Sequence, residues 1–170
     1  MTQPGYVGDQ VRLVERVPDV IVVPQPAAGA EWSVHVPNGE LWDVLSIRAL
    51  YTAAAVAVSR VPAVVYTTGE VEYMRSPVGK TITTGVASVC CWIADISGLT
   101  PAGLVLQGAL PPSRSYVPGG HFIQSLTEAK NAGDQWSAIA IYCHRITEEV
   151  VSSDVIDSSR PMDLLRKVRG

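Results

Sequence analysis

Short runs in which apolar and polar residues alternate recur along the middle of the chain, separated by turns rich in glycine and proline. Side chains of a β-strand point to opposite faces in turn, so this alternation predicts strands with one buried face. Residues 32–36 and 41–51 both show it, and Pro37-Asn38-Gly39 between them has turn-forming residues. The pattern therefore predicts a β-hairpin, with Leu45, Ile47, Ala49 and Tyr51 inward and Ser46 and Arg48 outward.

Further runs of this kind predict an all-β body. We expect strands at residues 61–66, 70–74, 81–93, 104–110, 121–127 and 135–144. The last of these is apolar at both sets of alternate positions, which indicates a central strand covered on both faces. No segment in the middle of the chain keeps a helical period. The sequence thus predicts an antiparallel β-sandwich or jelly roll over residues 28–146.

The two ends of the chain differ from this body. Residues 1–27 contain four prolines and one short apolar run at residues 20–23, which predicts an extended N-terminal arm with a possible edge strand. Residues 147–170 are rich in charge, and Ser159 could cap a short helix at residues 161–168. A helix this short needs a surface to pack on. We expect both arms to dock on neighbouring subunits.

Composition and charge limit the classes of function. A chain of 170 residues suits one domain, and a net charge of −3 with a pI near 5.5 gives no basic surface for nucleic acid. No apolar run is long enough for a membrane span, and the N-terminus lacks the features of a signal peptide. Charged residues make up only 17%. Two explanations fit this low share. Part of the middle of the chain is buried against a partner, which we favour, or serine and threonine side chains provide the polar surface in place of charged ones.

We find no pattern that predicts catalysis, a metal site or a cofactor. Gly79-Lys80-Thr81 lacks the earlier glycine of a phosphate-binding loop, and the three histidines lie far apart in sequence. The three cysteines have no zinc spacing, so we expect buried, reduced thiols and assembly in a reducing compartment. Among the tryptophans, Trp32 and Trp136 are predicted to be core residues. For Trp42 and Trp92 two roles stay open, as core residues or as part of a sugar-binding platform.

Three segments carry a resemblance to a known class of proteins. These are the run Trp-Ser-Val-His-Val-Pro-Asn-Gly-Glu-Leu-Trp from residue 32, continuing to residue 52, Ser-Arg-Val-Pro-Ala-Val-Val-Tyr at 59–66 and Ala-Gly-Asp-Gln-Trp-Ser at 132–137. They resemble small virion proteins of tailed bacteriophages, namely head-decoration or minor structural proteins with a β-sandwich or jelly-roll body. The resemblance covers residues 28–146 and contains no catalytic motif.

This resemblance implies a non-enzymatic protein of the virion, assembled in the host bacterial cytoplasm. Such proteins often form homotrimers and bind the major capsid protein, or another virion protein, through terminal arms. The arm residues expected to bind the partner are Arg12, Leu13, Arg16, Val20, Val22, Arg160, Leu164, Leu165 and Arg166. The arginines would pair with carboxylates of the capsid, and the apolar residues would be anchors.

Two alternatives stay open. The chain could instead be a tail, neck or baseplate subunit of the same kind of particle. It could also be a carbohydrate-binding or receptor-binding module that uses Trp42 or Trp92, whereas an enzyme is the least favoured class.

Overall fold

The computed structural model describes residues 11–94, 105–110 and 116–151, with side chains described between residues 15 and 147 of these ranges. This part of the chain is all-β and contains no helix. Its eleven strands are β1 (Val11–Val23), β2 (Ser33–His35), β3 (Glu40–Thr52), β4 (Val61–Thr67), β5 (Glu72–Pro77), β6 (Ala87–Ile93), β7 (Val105–Ala109), β8 (Tyr116–Pro118), β9 (Phe122–Glu128), β10 (Gln135–Trp136) and β11 (Ile139–Val151).

The strands form two sheets. The larger, seven-stranded sheet has the order β1-β11-β3-β6-β7, and the short strands β8 and β10 also pair with β3. The smaller, four-stranded sheet has the order β2-β9-β4-β5. Strand β3 is the centre of the larger sheet because it is long enough to pair with β8 and β6 along one side and with β11 and β10 along the other.

One hydrophobic core is shared by the two sheets. The larger sheet contributes buried side chains such as Ile47 and Trp92, and the smaller sheet contributes Val64 and Ile123. In β6 and β9 the buried side chains alternate with more exposed ones, which is the pattern of strands that bury one face, whereas β4 is buried on both faces after its first residue. Two sheets packed on a common core are consistent with the predicted β-sandwich.

A close contact ties the sheets together at Trp92. Its indole Nε1 donates to the backbone oxygen of Ser76 in the smaller sheet at 2.9 Å. The ring lies over Gly108, its neighbour in β7, where a Cβ would come within 2.3 Å of the indole Cδ1. Glycine at this position therefore leaves the space that the indole fills.

The expectation of an antiparallel body is wrong at one place. Strands β6 and β7 pair in parallel, with Cys91 opposite Gln107 and Trp92 opposite Gly108. The residues that join these strands, 95–104, lie outside the described residues. Alternation predicts which side chains of a strand are buried, but it carries no information on the direction of the neighbouring strand.

The predicted hairpin of residues 32–51 is also wrong. Strand β2 pairs with β9 in the smaller sheet, whereas β3 lies in the larger sheet. Pro37-Asn38-Gly39 does form a turn, closed by the Glu40 amide donating to the Pro37 oxygen, and Gly39 has a φ of 84°. The turn carries the chain from the smaller sheet to the larger one. A tight turn can join two strands of different sheets as well as two paired strands, so its residues do not predict a hairpin by themselves.

A β-bulge reverses the alternation within β3. Tyr142 of β11 is opposite Ser46, while Cys143 is opposite Val44, so Leu45 is the extra residue. Leu45 is consequently 39% exposed instead of inward, whereas Ile47 is fully buried as predicted. Strand β11 is not covered on both faces either, because Tyr142 is 47% exposed.

Contacts between Cα atoms divide the chain into two units. One is residues 16–147, which holds both sheets except for the outermost parts of β1 and β11. The other comprises residues 1–15 and 148–170, of which the structure describes only 11–15 and 148–151. The predicted boundaries of the arms, at 27/28 and 146/147, remain predictions, and the helix at 161–168 lies outside the described residues.

Candidate interaction surface

The face of the larger sheet that points away from the core is defined by the register of β11, β3, β6 and the edge strand β7. Paired residues of neighbouring strands put their side chains on the same face. Three rows of side chains cross the sheet in this way, and we call them the outer face: Leu50-Val89-Val105, then Ala140-Arg48-Cys91-Gln107, then Tyr142-Ser46-Ile93-Ala109.

The outer face is accessible and mostly apolar. None of its eleven residues is buried, and Leu50 and Tyr142 are 40% and 47% exposed. Arg48 is its single charged residue. By strand spacing, four strands and three rows cover roughly 400 Å². Exposed apolar patches of this size are often functional in soluble proteins.

A groove continues the outer face toward β1, the strand at the edge of the sheet. It has a volume of about 380 Å³ and is lined by Pro18, Asp19, Val20, Leu45, Tyr142 and Cys143. Val20 is 46% exposed, and Val22, two residues further along the same face of β1, is 64% exposed. The bulge in β3 contributes to the groove because it turns Leu45 outward.

Two charged clusters lie on the strands that form the groove. In one, Arg16 of β1 forms an ion pair with Asp43 of β3, and the Arg16 Nη2 lies 2.9 Å from the Nδ1 of His144 in β11. In the other, Arg145 of β11 pairs with Glu40 of β3, and its Nη1 lies 3.3 Å from the Oδ2 of Asp19.

The second cluster keeps its charges. The hydrogen bond from Arg145 is the main reason why the pKa of Glu40 is lowered, and the bonds to Glu40 and Asp19 raise the pKa of Arg145. Each cluster links β1 to both β11 and β3. They hold the edge strand to the sheet through side chains that are themselves partly exposed.

A third charged pair is fully buried and belongs to the interior. The side chains of Arg60 and Asp134 are both inaccessible to solvent, with the Arg60 Nε 2.8 Å from the Asp134 Oδ2. Asp134 also accepts hydrogen bonds from the Tyr51 hydroxyl and from the amides of Ala54 and Asn131, at 2.7–2.8 Å. Burial raises the pKa of Asp134, but these bonds outweigh it and lower the pKa to about 2.

The other donors of Arg60 are used as well. Its Nη1 donates to the backbone oxygens of Val56 and Val58, and its Nη2 lies 3.4 Å from that of Ala54. With its polar atoms engaged inside the protein, the pair fastens the connection before β4 to the turn before β10. This arrangement gives the pair a structural role.

The structure places only some of the predicted binding residues. Arg16 pairs with Asp43 of its own chain, so its guanidinium is already engaged, while Val20 and Val22 are exposed on β1. Arg12 and Leu13 belong to the same strand, but their side chains are not described. Arg160, Leu164, Leu165 and Arg166 lie outside the described residues. The roles of all nine in binding remain predictions.

The other candidate residues from the sequence are the tryptophans and the cysteines, and most of them lie in the core. All four tryptophans are at most 3% exposed, which confirms Trp32 and Trp136 as core residues. A sugar platform built on Trp42 or Trp92 is therefore wrong, because both rings are buried. Cys90 and Cys143 are buried, as predicted, whereas Cys91 points to the opposite face of β6 from Cys90 and is partly exposed.

The described ranges contain neither a cluster of metal-binding side chains nor a helix long and apolar enough to cross a membrane. The His35 ring packs against Phe122 at a tilt of 55° with ring centroids 4.8 Å apart, and the Nδ1 of His121 is 3.1 Å from the Tyr73 hydroxyl. The third histidine is His144, in the Arg16 cluster.

Sequence reasoning missed most of the outer face. Alternation did place Arg48 outward, and the exposed Arg48 is consistent with that. Leu50 lies at the same alternate positions as Ser46 and Arg48, but Tyr142 carried no signal of exposure, because large apolar side chains in strands are expected to be buried. The overall charge content was the one sequence feature that indicated an exposed apolar surface.

Comparison with known proteins adds no relative to this description: no family model, no curated protein and no solved structure matches the chain.

Proposed function

We propose that this chain is a non-enzymatic structural protein of a tailed-phage particle, and more specifically one that decorates and stabilises the capsid. The observation that carries the proposal is the outer face with its groove, which exposes Val20, Leu45, Leu50 and Tyr142 on three neighbouring strands. An exposed apolar surface on a small protein with few charges favours a role in which another protein covers it. The resemblance of residues 28–146 to virion proteins supports the same role.

In this proposal the two-sheet body is a jelly roll, and the chain ends act as arms that bind neighbouring subunits. Strand β1 supports the idea, since it is an edge strand with exposed valines on one face and leads directly into the N-terminal residues. Binding at several sites at once, by arms and body of a homotrimer, would raise the avidity of contacts that are individually weak.

The number of copies per particle tests this proposal. Quantitative mass spectrometry of purified particles from the phage that encodes the chain should find hundreds of copies if the chain decorates the capsid. About six or twelve copies would instead identify a neck, tail or baseplate subunit. Particles that lack the chain would refute a structural role in the virion.

Truncation tests the role of the arms. Deleting residues 1–27 would remove β1, whose Val23 is in the core, and would confuse unfolding with loss of binding. Deletion of residues 1–10 or 152–170 leaves all eleven strands intact. We expect either deletion to lower the occupancy of particles at least tenfold. Unchanged occupancy in both variants would show that the arms do not bind the capsid.

A further inference from the structure

Arg48 occupies the middle of the outer face. It lies on β3, the central strand of the larger sheet, in the second of the three rows, between Ala140 and Cys91. Among the described side chains, no carboxylate forms an ion pair with Arg48. The outer face therefore combines apolar and small side chains with one central positive charge that no described carboxylate balances.

The outer face of the smaller sheet is different. There Arg75 pairs with Glu72 at 2.8 Å and lies 3.6 Å from Glu128, so its charge is balanced within the chain. One of the two inner strands of that sheet, β4, is buried on both faces apart from its first residue. Within the described ranges, the larger sheet thus has the more open face and an arginine without an ion pair.

A second copy of this chain is a poor occupant for the outer face. A two-fold axis through its centre would bring two Arg48 guanidiniums together in a contact that excludes water, and like charges in such a contact are costly. The area also argues against a stable dimer, because roughly 400 Å² is about half of the 800 Å² that each partner usually buries. A face of this size suits a protein that binds its partners through several contacts, of which this face is one.

We propose that the outer face binds a flat, apolar surface of a different virion protein that presents a carboxylate opposite Arg48. This inference rests on the proposed function and names the chemistry of the partner. Tyr142 and Leu50 supply the apolar contacts on either side of Arg48, and the charge pair fixes the register of the two surfaces. A guanidinium pairs well with a carboxylate in such a site, because two parallel hydrogen bonds can form.

Binding of purified protein to particles that lack it tests the proposal. Such particles are prepared from phage whose gene for this chain is deleted, and bound copies are counted over a range of protein concentrations. We expect Arg48→Glu and Tyr142→Ala each to weaken binding at least tenfold, and Arg48→Lys to weaken it less than Arg48→Glu.

The smaller sheet offers matched controls. Tyr73 is 45% exposed against 47% for Tyr142, and Arg75 is an exposed arginine on β5, the edge strand of its own sheet. Tyr73→Ala and Arg75→Glu should bind within threefold of the unchanged protein. Urea unfolding of all variants checks that they fold, since substitutions at exposed sites change stability by about 0.5 kcal/mol or less.

The outcomes separate the two proposals. If the unchanged protein does not bind the particles, the proposed function fails and this inference fails with it. If it binds and Arg48→Glu and Tyr142→Ala bind equally well, only the inference is overturned. Sedimentation gives a further result that would overturn it: a dimer of the unchanged protein that Tyr142→Ala converts to monomer would make a second copy the occupant.

Discussion

Replacing Asp134 with alanine should destabilise the protein more than any substitution on its surface. The carboxylate neutralises a fully buried guanidinium and accepts hydrogen bonds from four donors, which belong to Arg60, Tyr51, Ala54 and Asn131. Its removal leaves the charge of Arg60 in the interior without a counterion. It also leaves a hydroxyl and two backbone amides without their acceptor.

The size of the effect follows from these losses. Breaking a buried ion pair by removing one partner costs about 3–5 kcal/mol. Each neutral donor left unsatisfied adds about 1–3 kcal/mol unless water reaches it. Since small domains are stable by about 5–15 kcal/mol, we expect Asp134→Ala to lose at least about 3 kcal/mol and to be only marginally folded at room temperature.

Urea unfolding followed by tryptophan fluorescence measures this loss, because all four tryptophans are buried in the folded protein. Arg75→Ala is the control, since it removes an ion pair whose side chains are 41% and 35% exposed. It should cost less than about 1 kcal/mol. An Asp134→Ala protein within 1 kcal/mol of the unchanged one would refute the view that this pair is a dry and fully satisfied part of the interior.

Three further predictions test the packing, the charges and the thiols. Gly108→Ala should cost about 1–3 kcal/mol in urea unfolding, because the new methyl group would collide with the indole of Trp92; an unchanged midpoint would contradict this contact. Folding lowers the pKa of Asp134 from 3.8 to about 2, so stability should fall as the pH drops from 4 to 2. The loss should be roughly 2 kcal/mol in unfolding curves, and it should be smaller in Asp134→Asn. A maleimide should label Cys91 alone in the folded protein, because it is the one partly exposed thiol; burial raises the pKa of all three, to about 12 for Cys90 and about 11 for Cys143. Labelling of two or more thiols before unfolding would contradict it.

The sequence predicted where the strands lie better than it predicted which strands pair with each other. Alternation located most of the eleven strands, and it correctly placed Ile47, Ala49 and Tyr51 inward. It could not locate the bulge at Leu45, because a bulge depends on the register with β11. Pairing between strands far apart in sequence is set by packing across the whole domain. For that reason the hairpin of β2 and β3 and the all-antiparallel order were both wrong.

The candidate surface was predictable only in outline. The low share of charged residues indicated a surface covered by a partner, but it could not say which one. Exposure of Tyr142 depends on which face of β11 the core occupies, and burial of Trp42 and Trp92 depends on the same choice in β3 and β6. The pairing of Arg60 with Asp134 joins residues 74 positions apart, and no local pattern marks it.

The most direct test of the central claim is a cryo-electron microscopy reconstruction of particles that carry this protein. The account predicts copies at symmetric positions, with the outer face of the larger sheet against another virion protein and a carboxylate of that protein within about 4 Å of the Arg48 guanidinium. Particles without such copies, or copies whose outer face is turned to solvent, would contradict it.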